Sequence, residues 1–501
     1  MNLLFLSIVA LPLAASPIVY LVGRLSARRN KIWGMNITKI IALLVLFAEM
    51  VMVGFGVKTA LTVGSFLLTI GDTMLAFDGI GLVISAVVLV LGACSMLFSF
   101  RYIRGEKGEE KFYALLLISV GCIMGLTYSY DLFNMWIWFE GMAISTYFLV
   151  AFYNDQPASL EAGFKYLVQS AVGSALVLFG TAIFFSLAGT TSFEQIWHLD
   201  TSGSAFTVLG GVLLVVGFGV KAALVPLHTW LPDAHSRAPS GISAMLSGIV
   251  IEAGLIAILR SVSLTGKIGA DWGVILLVFG CLNILVGNLM ALQQKEVKRL
   301  LAYSSIAHVG YMLIGFGISF MFSQTTGAAG GFFHLITHSL MKGLAFLSVG
   351  ALMYVLFIAN GKHDSLMLDD LNGVSRKYPL LAVSLSAALL SLGGLPPFAG
   401  FMSKWQILVA GAEAKTGWMW AIVIFVGLNS VLSLAYYAPM INRMYRREPS
   451  EVVQRGKAVP WVMLIPIVLL TLGILVIGIW PASMRFLTDT AANSLLYFFY
   501  N

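Results

Sequence analysis

The sequence predicts an all-α integral membrane protein with about fourteen transmembrane helices. Three observations predict it. The chain has 501 residues, of which 59% are hydrophobic and only 11% charged, and its mean hydropathy is +0.91. Apolar runs of about 20 residues, the length a helix needs to cross a bilayer, recur from end to end. Basic residues gather in alternate short loops between these runs, the pattern that sets membrane orientation. The runs are continuous rather than alternating, which argues against a β-barrel. No polar stretch is long enough for a large soluble domain, so 1–501 reads as one polytopic membrane domain. The net charge of +7 is no nucleic-acid signature, because most of the cations lie in the short loops.

The spans fall at 2–22, 36–57, 79–100, 112–130, 132–153, 161–188, 206–231, 240–263, 272–293, 299–321, 327–357, 379–411, 417–444 and 459–481. The first has no basic residues ahead of it, and Arg24, Arg28, Arg29 and Lys31 follow it, so it reads as a retained helix rather than a signal peptide. Residues 61–78 alternate modestly and read as an extended or hairpin loop outside the membrane. Loops after odd-numbered spans carry the basic clusters. Loops after even-numbered spans hold little more than Lys58, Lys267 and Lys415. The odd loops are therefore expected on the cytoplasmic side of a prokaryotic cell membrane, with both termini on the outer side. Cys94, Cys122 and Cys281 fall inside spans without disulfide or metal spacing and read as small apolar fillers. The pairs Gly210-Gly211 and Gly393-Gly394 read as helix-packing or helix-break positions rather than phosphate loops.

Spans seven and twelve carry interior prolines. GFGVKAALVPLHTWLPDAHS places Lys221 five residues before Pro226, and SLGGLPPFAGFMSKWQIL places Pro396 and Pro397 ahead of Lys404. Proline removes a backbone hydrogen bond and clashes with the preceding turn. In lipid the freed carbonyls need a protein or water partner, so such discontinuous helices line hydrated cavities, often at matched positions of an inverted repeat. Residues 112–264 are expected to form one five-helix unit and 272–444 the other, each with its broken helix fourth. Residues 1–111 and 459–501 are expected to flank them.

Seven of the ionisable residues within the spans are the candidates for function: Glu140, Lys221, Glu252, His334, His338, Lys342 and Lys404. A charge at bilayer depth costs about 2.5–3.5 kcal/mol on insertion scales. A single lysine can snorkel its amine to the interface; seven such residues along one chain point to an ion or proton path. Glu140 lies deep in an apolar run and needs a cation or a proton, and Lys221 is its natural partner. His334, His338 and Lys342 are spaced i, i+4, i+8 on one helix face, and histidine passes protons near neutral pH. Histidines at i, i+4 can also share a metal ion, but the nearby lysine and the lack of a carboxylate on that face argue against it.

These residues sit in motifs that resemble a known family. DLFNMWIWFEGMAISTY, VKAALVPLHTWLPDAHSRAPSGISAMLSG, QQKEVKRLLAYSSIAHVGYM, HLITHSLMKGLAFL and LSLGGLPPFAGFMSKW resemble the antiporter-like membrane subunits of respiratory complex I, of membrane-bound hydrogenase-type archaeal oxidoreductases and of Mrp cation/proton antiporters. The resemblance implies fourteen helices in two inverted five-helix repeats, with helices 7 and 12 discontinuous. It implies that Glu140 and Lys221 form a coupled pair, that His334, His338 and Lys342 connect the halves, and that Lys404 ends the relay toward the outer side. It assigns Lys165 a modulating place near the pair and gives His228 and His308 secondary places. Glu252 stands where many relatives have a lysine or a nearby histidine, so the central step is expected to run through a carboxylate or to differ. With only a short stretch after span fourteen, the chain is expected to lack the long lateral helix of the largest complex I relatives.

The expected function is a proton-translocating, or Na⁺-translocating, subunit of a redox-driven membrane complex. The chain itself is expected to bind no metal and no redox cofactor. Its partners would be lipid, similar antiporter-like subunits and other membrane subunits, with iron–sulfur clusters on partner chains. Two alternatives are an Mrp-type antiporter subunit without electron transfer and a structural subunit whose relay has decayed.

Overall fold

A backbone in lipid has no water to bond to, so each span must close its own hydrogen bonds as a helix. The structure, a computed structural model, describes residues 2–28, 32–63, 66–70, 73–198, 205–265 and 271–500. Arg29, Lys31 and Lys267 of the orientation pattern lie outside the described residues. Among the described residues, eleven helices are long and apolar enough to cross a membrane, and each coincides with an expected span. The other three expected spans are also helical. The fifth is Leu132–Val150. The seventh is split into Ala205–Lys221 and Trp230–Arg237, and the twelfth into Pro379–Gly393 and Ala399–Glu413.

Local chemistry sets several helix starts. Asp78, Asp131 and Asp271 each accept a hydrogen bond from the backbone N–H three residues on, at 2.8, 2.7 and 3.0 Å. These N-caps satisfy donors that a first turn leaves free. Close helix packing uses small residues. A Cβ on Gly173 would lie 2.7 Å from the Gly217 carbonyl oxygen, and one on Gly310 would lie 2.6 Å from that of Gly280. Pro157–Ala188 is thereby brought against Ala205–Lys221, and Trp272–Leu292 against Val297–Phe322. Gly210 packs in the same seam, against Phe184, as its sequence context suggests.

In the expected loop 61–78, Phe66–Ile70 pairs antiparallel with Thr73–Phe77; residues 64, 65, 71 and 72 lie outside the described set. The helix before it, Ile32–Val63, runs beyond its expected end. One long helix has no counterpart in the sequence analysis: Arg485–Tyr500, which packs against Gly79–Tyr102 and Thr325–Leu356. Its buried residues Thr488, Ala491, Ala492, Leu495 and Leu496 form an i, i+3, i+4, i+7, i+8 stripe. A search for long apolar runs passes over such an amphipathic helix.

Both proline-bearing breaks are closed by side chains. At the first, the helix ends at Lys221, and Ala223 turns the chain at φ 54°. Asn283, fully buried on Trp272–Leu292, accepts from Val225 N–H at 2.8 Å and donates to the Ala223 carbonyl at 3.2 Å. At the second break, Gly394 adopts φ 79°, a conformation that favours glycine. Ser391 Oγ there accepts from the Gly400 N–H at 3.1 Å, and the Leu392 carbonyl accepts from Lys404 Nζ at 2.8 Å. A third irregularity lies in the eighth span, where a π-helical turn, Leu246–Val250, immediately precedes Ile251–Leu264.

Candidate functional site

The broken helix delivers Lys221 into an aromatic box. Its Nζ donates to Tyr166 Oη at 2.5 Å and lies 4.3 Å from the Tyr166 ring centre, 5.8 Å from Phe139 and 5.9 Å from Trp230. Tyr166 stacks on Trp230 at 4.1 Å and shares a 2.9 Å hydrogen bond with Thr146. Aromatic faces and a phenol oxygen offset part of the cost of enclosing an ammonium group. Glu140, next to Phe139, is half-buried and acts on Lys221 through space, but among the described residues the two form no ion pair. The expected pair therefore makes no direct contact.

Gly254 lets the next helix approach this lysine, since a Cβ there would lie 2.7 Å from Ala222 N and 3.0 Å from Lys221 Cβ. Half a turn earlier, Glu252 is fully buried. Its Oε2 accepts from Ser339 Oγ at 2.6 Å, and its Oε1 lies 2.7 Å from His338 Nδ1. The His338 ring lies 5.1 Å from His308, and His308 stacks in turn on His334 at 5.1 Å with an interplanar angle of 13°. His308 Nδ1 is 2.9 Å from His334 Nε2, and His334 Nδ1 is 2.9 Å from Ser403 Oγ. Lys404, the next residue, sits 4.6 Å over the Tyr311 ring and donates to Ser430 Oγ at 3.0 Å.

Seven side chains, Lys221, Glu252, His308, His334, His338, Lys342 and Lys404, are at most 4% exposed. Lys342 leaves the histidine line. Its Nζ donates to the Leu301 carbonyl at 2.7 Å and to Ser304 Oγ at 2.5 Å, and Ser304 continues to Tyr437. Lys165 is exposed and pairs with Glu161 at 2.7 Å and Asp233 at 3.1 Å. His228 is half-buried in the first break, 6.4 Å from the Tyr303 ring. Pro226, Pro396 and Pro397 occupy the two breaks at the chain's surface. His308, secondary in the sequence, is central in space.

Tyr166, Trp230, Tyr311 and Ser403 belong to the site but were not singled out from sequence. Their one local signal is position: Tyr166 follows Lys165, and Ser403 precedes Lys404. Among the described residues no group of three or more His, Cys, Asp or Glu side chains converges to hold a metal ion. What the array can do is hold, release and hand on protons between groups one hydrogen bond or one ring apart.

The fold and site define a polytopic α-helical membrane protein built around a buried file of titratable side chains. The chain belongs to the NADH:quinone oxidoreductase/Mrp antiporter transmembrane family, whose pattern matches residues 129–432. It is 31% identical over 437 residues to the F(420)H(2) dehydrogenase subunit N of Methanosarcina mazei, covering 86% of this chain and 87% of that one. It is 33% identical over 445 residues to the NADH-quinone oxidoreductase subunit N of Desulfitobacterium hafniense, covering 85% and 86%. Among solved structures it resembles a chain of the membrane-bound sulfane sulfur reductase, an archaeal respiratory membrane complex. The TM-score is 0.88 at 26% identity, over 99% of this chain and 98% of that one.

Proposed function

We propose that this chain is an antiporter-like subunit of a redox-driven respiratory membrane complex and carries protons along its buried file. One observation carries the reading: the succession Glu252, His338, His308, His334, Ser403, Lys404, joined by hydrogen bonds except at the His338–His308 ring contact and the chain step from Ser403 to Lys404, and enclosed in the core between two interrupted helices. Each transfer exchanges one buried, paired charge for another, which avoids the cost of an isolated charge in lipid. Imidazole and ammonium groups dominate the file. They carry protons and, when charged, repel Na⁺, which favours H⁺ as cargo.

In this reading Glu140 faces a neighbouring membrane subunit, and a change of charge there shifts the Lys221 proton. Residues 112–264 and 272–444 act as two inverted five-helix units within a fourteen-span layout, flanked by 1–111 and 459–501. The basic loops face the cytoplasm and both termini the outer side. Partner subunits, similar antiporter-like chains among them, supply the electron transfer and its iron–sulfur clusters. Its likeness to a subunit N of an F(420)H(2) dehydrogenase and a subunit N of an NADH-quinone oxidoreductase supports this assignment over an antiporter without electron transfer.

The test is Lys221→Ala in the whole complex, reconstituted in sealed vesicles. Proton translocation is expected to fall by about 10²-fold or more, the scale of a lost proton-transfer group, with the subunit still inserted and assembled. Wild-type pumping in that variant would overturn the relay, and wild-type pumping without any co-purifying redox subunit would overturn the redox coupling.

A further inference from the structure

Two lysines of the basic loops meet at an apolar cavity that the relay does not use. The cavity, of 400 Å³, lies where the helices Pro379–Gly393 and Trp461–Ile479 begin, and those two helices pack on one another. Leu380, Leu381, Val459 and Leu464 form its apolar wall, and Lys377 and Lys457 line it beside them. Tyr378 joins the two loops that supply the lysines. It is buried, and its Oη donates to the Lys457 carbonyl at 2.8 Å. Gly456 makes room for that hydroxyl, because a Cβ there would collide with Tyr378 Oη.

Neither ammonium group is neutralised by an acid. Lys377 Nζ donates to the Gln454 carbonyl at 2.7 Å, and Lys457 Nζ donates to the Ala359 carbonyl. Each bond fixes an amine in place without cancelling its charge, and leaves it further N–H donors. Among the described residues neither lysine makes an ion pair. The acids of the adjoining loop are taken, Glu448 by Arg376 at 2.6 Å and Glu451 by Arg455 at 3.4 Å. The cavity also sits at the edge of the bilayer. Leu380 and Val383 are exposed at the start of one apolar helix, and Trp461, 71% exposed, opens the other, a place tryptophan takes at headgroup level. Orientation alone needs cations in the loops; it does not need two amines fixed beside an open apolar wall.

We propose that this cavity is a binding site for one anionic phospholipid, with its phosphate held by Lys377 and Lys457 and an acyl chain laid along Leu380, Leu381, Val459 and Leu464. The free N–H groups of the two amines make charge-assisted bonds to the phosphate oxygens. The apolar wall takes up the chain as it enters the bilayer, so head and tail are both matched. Basic pockets between membrane-spanning helices bind such headgroups on general electrostatic grounds. A zwitterionic lipid brings its own cation and gains less from the lysines. A free phosphate lacks the chain and leaves the wall bare. The site stands apart from the relay, whose reading survives whether or not lipid binds here.

The experiment places the whole complex in phosphatidylcholine vesicles with a trace of phosphatidylglycerol that carries a photoreactive acyl chain. After irradiation the cross-linked peptides are mapped. Labelling is expected at 379–381 and 458–464, and phosphatidylcholine carrying the same photoreactive chain is expected to label there at least about tenfold less. Lys377→Gln and Lys457→Gln are each expected to lower the phosphatidylglycerol signal about fivefold, and the double variant about 30-fold. Lys362→Gln, an exposed lysine of the same basic loop, is expected to leave it unchanged. Equal labelling by the two lipids, or full labelling in the double variant, would show an apolar surface wetted by any lipid and overturn the site. Displacement of the label by inorganic phosphate would show an anion site without a lipid. Labelling by neither lipid in the assembled complex would show that a partner subunit covers the cavity, and would overturn the site as well.

Discussion

Glu252 is enclosed on every side, yet both of its oxygens are engaged, one by Ser339 Oγ and the other by His338 Nδ1. A buried carboxylate with two good partners is tolerated; with one partner removed, the loss is typically several kcal/mol. Glu252→Gln keeps an oxygen for Ser339 but cannot take up or release a proton. Translocation in that variant is expected to fall by about 10²-fold while thermal stability of the complex changes little, and unchanged pumping would remove Glu252 from the path. The residue itself stood out in the sequence, because an acid interrupts LSGIVIEAGLIAILR. Its pairing with His338 and Ser339 did not, since they lie 86 and 87 residues away. The i, i+4, i+8 set was legible as a helix face but not as a cluster. Each four-residue step turns about 40° past a full revolution, so Lys342 has rotated away from His334 and meets Leu301 and Ser304 instead.

At the scale of elements, the two interruptions are what admit lysines to the interior, the first held by Asn283 and the second by Ser391 and Lys404. Prolines announced them in the sequence. The helices stop earlier, though, at Lys221 and Gly393, because the backbone must first turn through positive φ at Ala223 and Gly394. Nothing local marks Asn283 as the clamp of the first break, for it comes from the other proposed repeat. Asn283→Leu conserves volume and strips partners from the Val225 N–H and the Ala223 carbonyl. Each orphaned group costs about 1–3 kcal/mol. The purified complex is expected to melt at lower temperature, with hydrogen exchange rising first across 222–229. A melting curve and exchange pattern equal to wild type would show that the break is held by other means.

Across the whole molecule, the amphipathic helix Arg485–Tyr500 ties Gly79–Tyr102 to Thr325–Leu356, the helix that carries His334 and His338. Arg485–Tyr500 packs on both at once, and Ser263 of Ile251–Leu264 donates to its Leu495 carbonyl at 3.2 Å. Close approach depends on Gly79, whose N–H donates to Ser494 Oγ at 3.0 Å and whose missing Cβ would lie 2.4 Å from the Thr490 backbone. A backbone cannot yield to a side chain as a flexible tip can, so Gly79→Val must push the helix off its seat. Beside this seat, Arg260 is bound to Asp78 at 3.0 Å and to the Thr127 carbonyl at 2.6 Å, and that pair does not depend on the C-terminal helix. Gly79→Val is therefore expected to expose 485–500 to limited proteolysis and raise its hydrogen exchange by about tenfold, roughly 1.4 kcal/mol of lost docking, while exchange around His308, His334 and His338 stays at the wild-type level. Protection of 485–500 equal to wild type would mean the helix is seated by its apolar stripe alone. A loss of protection reaching the histidines would mean that the flanking helices and the relay unfold as one unit.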